Sequence, residues 1–366
     1  MINKKILHVI SSLKVGGAEQ ILFDILESLK DNFEHEVVFF HDGPVRKRIE
    51  ELGIKTTKIT GLINIYDPIF LYRLVKKTIN FKPDLISSSL WAANLLSRIF
   101  GKILKIPVIN AIHALPIFEG KFRNKIDNIS LKLATKVISV GETVSQELIL
   151  KSLVNEQDLV TIQNGINYHS LVKKFKDFGL DKNDLGFKLD NIIIGNVGRF
   201  IKAKNQDLLI QAFKNINIEY PHTRLLLVGV GPEEQNLRDL AKGLGIENFV
   251  TFIVGQPAYK YLTIMDIFAL PSKFEGLPIA LLEAMACGLP TIVTGKNNSH
   301  EIINPLENGL IIETDNINQL SHAIIKLILN PELKNKLALN GQNHIQQNYN
   351  ITLMTNKYRN LFNKLS

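Results

Sequence analysis

Short apolar runs alternate with stretches in which apolar residues recur every three or four positions, and the alternation persists along almost the whole chain. The runs Ile6 to Ile10, Glu36 to Phe40, Asp84 to Ser87, Pro107 to Asn110, Val137 to Val140 and Val160 to Gln163 have the length and composition of strands. Between them, Ala18 to Leu29, Ile69 to Ile79 and Thr143 to Leu150 carry helical spacing. Such alternation predicts a parallel, doubly wound sheet, whose ligands bind at the carboxyl ends of the strands.

The pattern dissolves between Tyr168 and Asp190, where KKFKDFGLDKNDLGFKLD is polar, charged and twice interrupted by glycine, the composition of a linker. A second series follows, with strands at Ile192 to Val197, Arg224 to Val228, Val250 to Val254, Ile267 to Leu270, Thr291 to Val293 and Leu310 to Ile312. Helical patterns cover Gln206 to Phe213, Pro232 to Leu244 and the stretches after Asn316. The expectation is an α/β protein of two Rossmann-like domains facing a central cleft. The first covers 1–185 and the second 186–349, and a closing helix near 350–366 packs back on the first.

Composition sharpens this picture. At 366 residues and 41.3 kDa the chain exceeds what one hydrophobic core serves. With 45% hydrophobic and 21% charged residues it fits the globular class. No apolar run approaches the roughly 18 residues of a membrane span. The lysines of MINKKILHVISSL precede a run that is short and broken by His8, so the start reads as a first buried strand rather than a signal peptide. The single cysteine, Cys287, excludes an internal disulfide and any multi-cysteine metal site and points to the cytoplasm. The net charge of +8 is uneven: residues 1–180 hold 25 Lys+Arg against 18 Asp+Glu, net +7, and the rest hold 18 against 17, net +1. A basic N-terminal half attracts diphosphates, anionic headgroups or nucleic acid. No nucleic-acid module motif accompanies it, which argues against the last.

Candidate chemistry concentrates in FEGLPIALLEAMACGLPTIVT, where Glu275 and Glu283 flank a Gly-Leu-Pro step. Pro278 suits the first helical position, so a helix is expected to start there, its positive end facing the loop before it. Gly276 lets a ligand approach the backbone, and Glu283 lies about one and a half turns on, where a carboxylate can take both hydroxyls of a vicinal diol. The alternative is a solvated loop acid and an ordinary helix residue. Against it, Glu283 sits in an otherwise apolar stretch where a bare carboxylate is costly to bury. Arg199 and Lys204 in NVGRFIKAKNQ follow a strand and suit a diphosphate, unless they are surface cations. Gly16 and Gly17 in SSLKVGGAEQ free backbone N–H groups for an anion or ease a tight turn, and neither they nor Gly229 and Gly231 complete a three-glycine dinucleotide fingerprint.

Taken in order and spacing, GRFIKAKN, GVGPEEQNLRDLA and DIFALPSKFEGLPIALLEAMACGLPTIVT resemble the C-terminal domain of GT-B glycosyltransferases of family 4. The VGGAE loop, His113 in INAIHALP and Asn164-Gly165 in QNGIN agree with that family, so the resemblance spans nearly the whole chain. It implies that Arg199 and Lys204 hold the donor diphosphate and that Glu283 binds the nucleotide ribose. It also implies that Glu275 contacts the donor sugar, helped by the backbone of Gly276, Leu277 and Pro278. By the same resemblance His113 reaches the sugar hydroxyls, while Gly16 and Gly17 line the donor phosphates and the acceptor. Catalysis would fall to Glu275, His113, Arg199 and Lys204. The chain departs from the family pattern at Val254, Val230, Asn167 and Ser299-His300-Glu301, none of which carries a role above.

The resemblance implies retention of anomeric configuration, with the leaving diphosphate deprotonating the acceptor. The substrate would be a nucleotide diphosphate sugar, with UDP the commoner base in the family. The chain contains no Asp-any-Asp triplet, so neither a metal nor another cofactor is expected. For the acceptor side, IFEGKFRNKIDNISLKLA places Phe122, Ile126, Ile129 and Leu133 on one helical face with Lys121, Arg123 and Lys125 near its start. That is either a helix packed on its own sheet or a peripheral docking element for an anionic membrane presenting a lipid-linked or glycan acceptor. The other classes are a sugar-nucleotide epimerase of the same fold and a non-catalytic GT-B partner subunit.

Overall fold

The computed structural model describes residues 4–61, 67–113, 121–295 and 298–365, the side chains of residues 121, 122 and 298 excepted. The chain divides into two compact units, Met1–Asn164 together with Ile351–Ser366, and Gly165–Asn350.

Unit 1 is a seven-stranded parallel sheet, β1 Lys5–Ser12, β2 Glu34–His41, β3 Lys55–Lys58, β4 Leu85–Ser89, β5 Val108–Ile112, β6 Lys136–Ser139 and β7 Leu159–Thr161, in the order β3-β2-β1-β4-β5-β6-β7. Its helices are α1 Gly17–Leu29, α2 Val45–Glu51, α3 Pro68–Phe81, α4 Trp91–Leu104, α5 Lys121–Ser130 and α6 Glu142–Leu150. Apolar side chains alternate between the two faces of the central strands. Val37 and Phe39 of β2 join Leu22, Leu26 and Ile49 on one face, while Val38 and Phe40 join Phe70, Leu74 and Leu96 on the other. The edge strand β3, KTTK, is absent from the sequence expectation because it has no apolar residue; threonines whose branched side chains suit the pleat carry it.

Unit 2 is a six-stranded parallel sheet in the order β10-β9-β8-β11-β12-β13. The strands are β8 Ile192–Val197, β9 Thr223–Gly229, β10 Val250–Val254, β11 Ile267–Leu270, β12 Thr291–Thr294 and β13 Leu310–Ile312. Its helices are α7 Tyr168–Phe178, α8 Gln206–Glu219, α9 Glu234–Gly243, α10 Tyr259–Leu262, α11 Ile279–Ala286, α12 Ile317–Leu329 and α13 Pro331–Asn348. The charged stretch after Tyr168 is therefore not an irregular linker. Asn167 caps α7 by accepting from Ser170 N at 3.1 Å, and the helix packs beside α10 and α11.

The last helix, α14 Ile351–Leu365, belongs to unit 1 and packs against α1. Its buried residues Ile351, Met354, Tyr358, Leu361 and Phe362 follow helical spacing. Phe362 meets Phe33 edge-on at 5.6 Å and His8 at 6.1 Å. His8 and His35 pair beneath it at 3.0 Å, and burial lowers the pKa of both, so the buried pair is neutral.

Candidate active site

In unit 2 the strand order reverses between β8 and β11, with β9 and β10 on one side and β12 and β13 on the other. At such a reversal the loops leaving two neighbouring strands diverge and open a crevice at their carboxyl ends. The loop after β8 carries Arg199 and Lys204, and the loop after β11 carries Glu275. Lys204 ends a 3-10 turn, Lys202–Lys204, and its ammonium lies 2.5 Å from Glu275 Oε1. Ser272 Oγ donates to the same oxygen at 2.7 Å. Glu275 is only 7% exposed, and these two donors satisfy the buried oxygen.

Arg199 is exposed on the same loop as Lys204. Its neighbour Phe200 donates from N to Val230 O and accepts from Glu233 N, each at 3.0 Å, so the loop after β9 braces the loop after β8. A Cβ on Gly229 would come within 2.0 Å of Gly198 O and one on Gly231 within 2.3 Å of Phe200 O. Those two glycines serve the approach of one loop to another.

Pro278 occupies the N-cap of α11, with ψ at 113°, and the helix begins at Ile279, one residue later than expected. Proline has no N–H, so the donors without in-helix acceptors at this end include Ile279 and Ala280 rather than Pro278. Gly276 and Leu277 are buried beside it. Glu283 is half-buried on α11. Burial pushes its carboxyl up to about 7, and Lys174 of α7 opposes the shift. At neutral pH this acid is poised between forms.

In unit 1 the reversal falls between β1 and β4. Gly16 is the N-cap of α1, with extended backbone, and a Cβ there would come within 2.4 Å of Glu19 Oε2. Gly17 is the first residue of α1. His113 follows β5, two strands away from β1 in the sheet order. Its Nε2 stands 3.5 Å from Ser89 Oγ at the end of β4, the limit of a hydrogen bond, and burial lowers its pKa to about 4. A neutral imidazole both donates and accepts.

On α5, the Arg123 guanidinium stacks over Trp91 at 4.7 Å and Lys125 is exposed. The side chains of Lys121 and Phe122 lie outside the described residues. Asp127 binds the buried Arg98 of α4 at 2.6 Å. Ile126 is half-buried and Ile129 is 73% exposed. Leu133 has left the helix for a 3-10 turn, Leu131–Leu133, so the expected apolar face does not run unbroken to it.

The structure thus joins Lys204 to Glu275 directly and sets Arg199 and Glu283 on the adjoining loop and helix. Ser272, which bonds Glu275, and Lys174, which faces Glu283, are residues that sequence reasoning missed. Leu171, Phe175 and Phe178 at helical spacing could have revealed α7, and with it Lys174.

Models of known families match both parts of the chain: one described as glycosyl transferases group 1 over residues 177–344, and one described as glycosyltransferase family 4 over residues 15–169. An Escherichia coli UDP-Gal:alpha-D-GlcNAc-diphosphoundecaprenol alpha-1,3-galactosyltransferase is 24% identical over 98% of this chain and 96% of its own. The Staphylococcus aureus capsular polysaccharide biosynthesis glycosyltransferase CapM is 25% identical over 99% and 98%. The crystal structure of Anabaena HepE in complex with UDP and glucose superposes with a TM-score of 0.88 at 22% identity, covering 99% of this chain and all of that one. With two doubly wound parallel-sheet units, and with family models matching on either side of their junction, the chain belongs to the GT-B glycosyltransferases of family 4.

Proposed function

We propose that this glycosyltransferase moves a hexose or N-acetylhexosamine, with retention, from a UDP-sugar to a lipid-linked or glycan acceptor during assembly of a bacterial surface polysaccharide such as lipopolysaccharide, O-antigen, capsule or exopolysaccharide. The observation that carries this is the buried Lys204–Glu275 pair at the strand reversal of unit 2. In the resting site each group satisfies the other. An incoming diphosphate takes Lys204 as its counter-ion, and Glu275, still held by Ser272, accepts from sugar hydroxyls. Arg199, Lys204 and the start of α11 stabilise the charge that develops as the bond from the anomeric carbon to the diphosphate oxygen breaks. The new bond forms to the acceptor oxygen on the same face, and the acceptor proton passes to the departing diphosphate. Glu283 binds the ribose diol. His113, neutral, exchanges hydrogen bonds with the sugar, and Gly16 and Gly17 leave room for the phosphates. The relatives' names support a UDP-linked donor and a polyprenyl-diphosphate or capsular acceptor.

The same proposal places the enzyme in the cytoplasm, peripheral on an anionic membrane, with no metal or other cofactor. Among the described residues no helix is long and apolar enough to cross a membrane. Exposed Ile129 and Lys125 on α5 support docking there, and α3 and α4 on the same sheet face contain no acidic residue and expose Tyr72 at 62% and Ile103 at 68%. Replacing Lys121, Arg123 and Lys125 together should lower binding to phosphatidylglycerol vesicles, and unchanged binding would exclude this docking site.

Transfer assays with a panel of UDP-sugars and a polyprenyl-diphosphate sugar test the activity. Lys204→Ala and Glu283→Ala should abolish transfer in folded protein, and wild-type rates in both would rule the assignment out. Conversion of donor sugar without acceptor would indicate an epimerase. Absence of nucleotide binding in calorimetry would indicate a non-catalytic subunit.

A further inference from the structure

We propose that Asn205 and Asp315 form a positioning pair that holds the Lys204 turn and the Glu275 loop at the spacing a diphosphate requires; this rests on the donor-site reading above. Both residues adopt left-handed backbone, with φ of 57° and 59°. Glycine takes that conformation freely, and among the other residues asparagine and aspartate take it at the smallest cost. The two positions lie 110 residues apart in the chain, and their side chains meet: Asn205 Nδ2 donates to Asp315 Oδ1 at 3.0 Å. Two side chains kept in a disfavoured conformation and bonded to each other point to a role for the side chains themselves.

Their other contacts say what is held. Asn205 directly follows Lys204, and its amide also donates to Pro271 O, at the start of the loop that leads to Glu275, at 3.2 Å. The same oxygen of Asp315 takes Lys273 Nζ at 3.2 Å. Lys273 N in turn donates to Ala203 O at 2.9 Å. Asn205, Asp315, Lys273 and Ala203, with the backbone of Lys204 between the first and the last, therefore close a ring that laces the loops after β8, β11 and β13, with the Lys204 side chain and Glu275 just outside it. Asn205 is buried while Asp315 is largely exposed, so the bond adds little to overall stability and chiefly fixes geometry. Neither side chain is placed to contact the donor in this account, so both act through Lys204 and Glu275. Loosening the ring lets the ammonium and the carboxylate drift, which a bound diphosphate must then correct. Affinity falls and the chemical step, once the donor is seated, does not.

Glycine is the discriminating replacement, because it keeps the left-handed backbone and removes only the side chain. The experiment measures UDP affinity by calorimetry, kcat and KM for donor, and melting temperature. The variants are Asn205→Gly, Asp315→Gly, the double variant and Lys204→Ala. Asn205→Gly should raise the UDP Kd and donor KM by about five- to tenfold, and Asp315→Gly by somewhat less, with kcat within about twofold and melting unchanged. The double variant should lose less than the sum of the two single losses, because either change already breaks the bond between Asn205 and Asp315 and only the Asp315–Lys273 contact is left for the second to remove. Wild-type affinity in both single variants, additive losses in the double, or losses that track a falling melting temperature would each overturn the pair. Lys204→Ala separates the two levels. If it alone weakens UDP, the donor site stands and the pair fails; if it leaves UDP binding unchanged, both fail.

Discussion

The carboxyl ends of the two sheets hold their candidate side chains differently: an ion pair in unit 2, and in unit 1 a histidine at the limit of a hydrogen bond. In unit 2 the loops after β8, β9 and β11 are tied by side-chain and backbone bonds of 2.5 to 3.2 Å, among them Lys204–Glu275, Ser272–Glu275 and Asn205–Pro271. In unit 1 the backbone at the corresponding reversal is tied at similar lengths, Leu13 N to His41 O at 2.9 Å and Ala93 N to Ser11 Oγ at 3.1 Å, while the His113 side chain stands 3.5 Å from Ser89 Oγ. A diphosphate is one chemical object shared by all nucleotide sugars, so its site gains from being fixed before binding. On the proposed function the hydroxyls that meet His113 differ from one sugar or acceptor to another, and a histidine held by a contact that long tolerates that variety.

The largest expected contrast is between Lys204→Ala and His113→Ala. Loss of the lysine should lower kcat/KM at least about 100-fold, the scale of a lost electrostatic stabiliser. Loss of the histidine should lower it about tenfold, the scale of one hydrogen bond. Equal losses in steady-state kinetics would show that the two ends are tuned alike.

Second is the pH response of Glu283, whose carboxyl is pushed up to about 7 from an ordinary 4.5 by burial. Between those values the folded protein keeps a proton that the unfolded chain has released, so stability declines as pH rises through the window and levels off above about 7. Melting curves of the wild type should therefore fall relative to Glu283→Gln over that range. Affinity for an intact UDP-sugar, whose diphosphate has no proton to lose in this range, should rise through about pH 7 as the carboxylate forms, and stay flat in the variant. Parallel curves would mean that Glu283 does not titrate there. The smallest effect is expected at Ser89. Ser89→Ala should change donor KM less than about twofold, and a larger change would make Ser89 a true anchor for His113.

What the sequence discloses follows the same division. The proposed donor site is legible because its candidate residues occupy two short segments, NVGRFIKAKN and FEGLPIALLE, each lying at or just after the end of a buried strand. The ring that steadies them is not, since Asn205 and Asp315 are distant in sequence and unremarkable in type. Edge strand β3 escapes because threonine and lysine give no apolar alternation, and α7 because Lys173, Lys174 and Lys176 mask Leu171 and Phe175. In the central strands burial on both faces leaves nearly continuous apolar runs, which is why β1, β2, β8 and β11 are plain.

One feature of the fold also bears on how the molecule is made. Helix α14 covers His8 and Phe33 through Phe362, yet its residues leave the ribosome only after the whole of unit 2 has been synthesised. At about 5–20 residues per second, unit 1 waits roughly ten to forty seconds for its last helix. During that interval the patch around Phe33 and the paired histidines is open to water and to other nascent chains. A chaperone that binds exposed aromatic surface should therefore be retained on arrested chains ending before Ile351 and released from those that include Leu365.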